Sequence, residues 1–135
     1  FYYVHPVTFY INKLQVAGLI TEPLNAHFET LFETGVDEMA WDDLHEGEAG
    51  IWPTLPEVIA YREQVFDVVT DLIRTHPVFA ETITMDSPGW ALVMCFEHER
   101  IHLETSSVLI RELPVRYVVA PECWPPALRR RRQAP

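Results

Sequence analysis

Two prolines frame the stretch that most limits how this chain folds. Asp86-Ser87-Pro88 sets a capping residue ahead of a proline, and Pro114 follows Leu113, so the sequence predicts one long helix between them. Midway along it stands Glu97-His98-Glu99-Arg100-Ile101-His102-Leu103-Glu104, with two imidazoles four residues apart. That spacing puts both on one helical face, a geometry that can chelate a metal. On a wheel of roughly 100° per residue, His102 falls about 40° from His98, Glu104 about 240° and Glu97 about 260°. The two outer acids therefore point away. Ala91, Met94, Thr105 and Leu109 lie on the histidine side, with Cys95 at its margin.

The remaining segments also read as helix. From about His5 to Leu19, the residues Phe9, Ile11, Leu14, Val16, Leu19 and Ile20 recur at three- and four-residue steps, with Pro6 in the first turn and Gly18 weakening the end. A short helix begins at Asn25, a good N-cap, and runs through Phe28, Leu31 and Phe32 until Gly35. Residues 29–48 hold eight acidic side chains and no Lys or Arg, which suggests an acidic loop anchored by Met39, Trp41 and Leu44. After Pro53, with the cap near Thr54 or Leu55, residues 57–75 place Val58, Tyr61, Val65, Val68, Val69, Leu72 and Ile73 at helical spacing. Only Val115 to Val119 alternates with period two. The expected fold class is all-α, an antiparallel bundle in which metal sites form from side chains on facing helices.

With 135 residues and 48% hydrophobic content, the chain can bury a core as one domain. Residues 1–128 carry six basic against 20 acidic residues, and the Arg129 to Arg132 run brings the total to −10. An acidic body argues against nucleic acid as a partner. Residues 120–135 read as a disordered Pro- and Arg-rich tail. Cys95 and Cys123 do not make a disulfide framework, no apolar run reaches the roughly 20 residues of a membrane span, and the expected setting is a reducing cytoplasm.

A histidine pair on an apolar face suits a structural role as well as a ligating one. His5, at the head of another amphipathic stretch, is the third histidine that favours ligation. His27 and His45 lie in or beside acidic sequence, and His76 precedes Pro77 at a helix end, so none of these is expected to ligate. His98-Glu99-Arg100-Ile101-His102 also fits the H-E-x-x-H pattern of zinc peptidases, where the glutamate is the general base. No histidine follows His102, and the tempting acid, Glu122, sits in the Pro-rich tail.

The chain resembles the N-terminal DinB-like iron-binding domain of the 5-histidylcysteine sulfoxide synthases, which open ovothiol biosynthesis, and their ergothioneine relatives. The resemblance rests on His5 with Phe9-Tyr10-Ile11-Asn12-Lys13-Leu14, Gly35-Val36-Asp37-Glu38-Met39, Trp41-Asp42-Asp43-Leu44, Ser87-Pro88 with Trp90, and Glu97 to Ser107 running on to Leu113-Pro114. These elements span residues 3–119 in collinear order. The resemblance implies Fe(II) held by His5, His98 and His102, with Zn or Ni as alternatives, and cysteine, histidine and O₂ as substrates. It also implies that a further helix before His5 and a formylglycine-generating-enzyme-like domain with a catalytic tyrosine are missing. The expectation is therefore an incomplete module, inactive alone and prone to self-association. The rival readings are a DinB-like metal site without catalysis and a zinc-dependent hydrolase or thiol transferase.

Overall fold

A computed structural model describes residues 1–33, 52–119 and 122–123. The chain divides into two compact units, residues 1–103 and 104–135. All regular structure among the described residues is helical: α1 (His5–Val16), α2 (Ala26–Leu31), α3 (Leu55–Thr75) and α4 (Trp90–Arg111), with 3₁₀ turns at Pro77–Ala80 and Val115–Tyr117. The expected all-α class holds, and the alternating residues after Pro114 form a turn rather than a strand. None of these helices is long and apolar enough to cross a membrane.

Local chemistry sets the helix ends. α1 stops at Val16, earlier than the expected Leu19, because Gly18 adopts a left-handed φ of 71°. The Leu19 N–H then reaches back to the Leu14 carbonyl and the Gly18 N–H to the Gln15 carbonyl, both at 2.9 Å, which satisfies the terminal carbonyls. Asn25 caps α2 as expected, its Oδ1 accepting from the Phe28 N–H at 3.1 Å. In α3 the Glu57 carboxylate returns to the Thr54 N–H at 2.7 Å, so Thr54 is the cap. α4 begins at Trp90, later than expected, since Ser87, Pro88 and Gly89 are spent in a turn in which Ser87 Oγ accepts from the Gly89 N–H.

Within the first unit, α1 is the central helix. His5, Pro6, Val7, Thr8, Phe9, Tyr10, Ile11 and Leu14 are all buried on it. They pack with Phe28 and Phe32 near α2, Val58, Tyr61 and Val65 of α3, and Leu92 and Cys95 of α4. Each fully buried Ile, Leu or Phe contributes about 1.5–3 kcal/mol. His5 lies beside His102, and Phe9 lies beside His98, so α1 and the first four turns of α4 run antiparallel.

One expectation needs correction here. Glu29, assigned to an acidic loop, is buried within α2, where it accepts from the Leu24 and Asn25 N–H groups at 2.9 Å and from the Tyr61 hydroxyl at 3.3 Å. Cys95, at the margin of the histidine face, is fully buried in the core. At the end of α3 the His76 backbone N–H donates to the Leu72 carbonyl at 2.9 Å, while its Nδ1 accepts from the Val78 N–H and caps the next turn. Met39, Trp41, Leu44, His45, Gly35 and nearly all of the 120–135 tail lie outside the described residues.

Candidate metal centre

The first turn of α1 delivers His5 into the core at 4% exposure. Its Nδ1 stands 2.7 Å from the Phe32 carbonyl oxygen. Phe32 closes α2, and a carbonyl at a helix C-terminus has no partner in its own helix, so it accepts the imidazole N–H. That fixes the tautomer, because Nδ1 carries the proton and Nε2 is left with a lone pair. The Phe1 ring stacks on His5 with centroids 4.9 Å apart.

Facing it on α4, His98 and His102 turn their Nε2 atoms toward each other at 3.2 Å. Without a cation, that approach requires a proton on one nitrogen donated to the other. A shared metal removes the need. Two imidazole nitrogens each about 2.0–2.1 Å from one ion stand about 2.8–3.4 Å apart at octahedral to tetrahedral angles, which brackets the observed spacing. The His5 ring centroid lies 5.1 Å from that of His98 and 4.8 Å from that of His102. One ligand atom from each of the three residues falls within 4.8 Å of the others. The expected trio is thus brought together across 93 residues of sequence.

Their environment keeps the imidazoles neutral. Burial, then the neighbouring His102 and His5, lower the His98 pKa to about 4. Burial lowers His5 as well, against the opposing pull of the Phe32 carbonyl, and burial and His5 lower His102. Neutral imidazole is the metal-binding form. His98 takes its orientation from the Phe9 ring, stacked at 3.7 Å with an interplanar angle of 8°. Its Nδ1 is buried with no hydrogen-bond partner among the described residues.

The acids of the motif do other things. The Glu99 carboxylate accepts from the Tyr10 hydroxyl at 2.8 Å, and burial together with Glu99 raises the Tyr10 pKa. Glu97 pairs with Arg100 on the surface at 2.5 Å. Glu104 is exposed, in keeping with its place on the wheel, and so is His27.

Two orienting groups escaped the sequence reading. The Phe32 carbonyl is backbone, and no residue type announces it. Phe9 was legible in principle, since it stands four residues after His5 on the same face of α1.

Residues 9–106 match the DinB superfamily profile, and the chain belongs to that superfamily. His98 and His102 lie inside the matched segment, and His5 precedes it by four residues. Comparison with curated proteins gives no match.

Proposed function

We propose that this DinB-superfamily chain holds one divalent transition-metal ion between His5, His98 and His102. We further propose that the ion is Fe(II) and that the domain serves the O₂-dependent coupling of cysteine to histidine carried out by the sulfoxide synthases its motifs resemble. The observation that carries the reading is the convergence of three neutral imidazoles, two of them with Nε2 atoms 3.2 Å apart. His5, His98 and His102 would hold the ion by three neutral nitrogens, and an iron there would supply redox chemistry toward a thiol substrate and O₂.

The chain's own residues hold and shield that position. The Phe32 carbonyl fixes His5, and the Phe9 ring fixes His98. Phe1 lies against His5, and Tyr2 meets the edge of His102 with centroids 5.3 Å apart, so aromatic carbon flanks two of the three ligands and limits water. The zinc-peptidase reading loses support from Glu99. Its carboxylate is engaged by Tyr10 on the side of α4 facing a cleft with α1 and α3, a poor station for a general base at the histidines. Turnover, in this reading, also needs the formylglycine-generating-enzyme-like domain of that family to hold the second substrate in a near-attack geometry.

The test is anaerobic loading with Fe(II), Zn(II), Ni(II) and Co(II) in turn, followed by cysteine. Fe(II) binding at one ion per chain, with a sulfur-to-metal charge-transfer band when cysteine joins the Co(II) form, is the expected result. A chain that takes only zinc and never binds the thiol contradicts the iron reading. Steady sulfoxide formation from cysteine, histidine and O₂ by this chain alone contradicts the need for a second domain.

A further inference from the structure

α3 carries two apolar stripes, and only one is used within the bundle. Val58, Tyr61 and Val65 face the core, whereas Ile59, Phe66 and Ile73, seven residues apart, line a second face and stay exposed, Phe66 at 70%. A seven-residue spacing returns to nearly the same angle on a helix, so these three form a continuous seam. Two clefts open along it, of about 370 and 440 Å³, and both are walled by Arg62 and Phe66. Arg62 and Phe66 stand between the two clefts, which with this shared wall make up one apolar trough along α3, and Phe96 of α4 lines its far side. From Ile59 to Ile73 it is about 21 Å long, or four helical turns.

The lips of the trough are acidic. Glu63 and Asp67 stand on one side, and Glu99 stands on the other. Arg62, the cation within it, is turned onto Tyr3, donating to the Tyr3 carbonyl at 2.5 Å with its guanidinium 4.4 Å from the Tyr3 ring. A second copy of this chain would set acid against acid, with a net charge of −10 on each partner. A helix with an apolar stripe and basic flanks meets the floor and the lips together.

We infer that the α3 trough is a docking groove for a basic amphipathic helix of a partner protein. Phe66 is the central anchor, and Glu63 and Asp67 select the charge of the flanks. The metal site plays no part in this interaction.

The probe is a labelled helical peptide about four turns long, with leucines at positions i, i+3 or i+4, and i+7. One version carries lysine flanks and the other glutamate flanks. Fluorescence anisotropy at physiological salt should give the lysine peptide at least about tenfold tighter binding. Phe66→Ser, which changes no charge, should weaken it about tenfold, and the Glu63→Gln/Asp67→Asn variant should narrow the gap between the two peptides. Circular dichroism checks that each variant folds. Equal binding of both peptides, or no binding of either, overturns the proposal. So does a dimer of the chain that Phe66→Ser dissociates, because the trough would then belong to a second copy.

Discussion

α1 and α4 both bring histidines to the candidate centre, yet they sit in the molecule in opposite ways. α1 has 12 residues, eight of them buried, whereas α4 has 22, with only Leu92 and Cys95 buried. His5 is consequently placed by packing on every side and by a carbonyl that accepts its proton, while His98 and His102 are placed by helical spacing and by the Phe9 and Tyr2 rings. A metal site assembled this way has a rigid half and a half that depends on what lies against it.

The largest expected effect is on stability. Leu14→Ala, at a fully buried position of α1, should cost about 2–5 kcal/mol in denaturant unfolding. Ile101→Ala, on the exposed side of α4, should cost under about 1 kcal/mol. Equal losses at the two positions would break the contrast.

Next in size is metal affinity. His5→Ala and His98→Ala should each weaken divalent-metal binding by at least about 100-fold in a competition titration, more than the 10–100-fold typical of losing an outer-shell partner. Retention of full affinity in His5→Ala would leave metal binding to the α4 pair and place His5 outside the site.

Phe9→Leu sharpens the point, because it keeps an apolar side chain while removing the flat surface under His98. Affinity should fall about tenfold, with stability changed by less than about 1.5 kcal/mol. The same substitution should leave the His5 to Phe32 hydrogen bond intact, which the His5 imidazole resonances would report.

The smallest effect is in the pH dependence of the metal-free protein. His98 is lowered in the fold from 6.5 to about 4, so below pH 6.5 the unfolded chain binds the proton more readily. Stability should therefore be fully present above pH 6.5 and fall as the pH drops toward about 4. In His98→Gln that slope should flatten, as measured by thermal unfolding across the same window.

Much of the α-helical architecture was legible because it rests on local signals. Asn25, Thr54, Gly18 and Pro114 mark ends that the structure also marks, and the four-residue spacing of His98 and His102 fixes their common face. What escaped the sequence was long-range or backbone in origin. Glu29 looked like part of a solvated acidic run, yet its carboxylate is taken into the core by two N–H groups and the Tyr61 hydroxyl, none of which a spacing rule predicts. The Phe32 carbonyl could be found only once α2 was placed against the head of α1.

The central claim is that His5 shares one ion with the α4 pair. X-ray absorption at the metal edge counts imidazole scatterers directly, through the multiple scattering of the rings. The wild-type chain loaded with one equivalent of Fe(II) or Zn(II) should give three imidazoles, and the His5→Ala chain two, at metal–nitrogen distances of about 2.0–2.2 Å. Two imidazoles in both proteins would place His5 outside the coordination sphere and contradict the account.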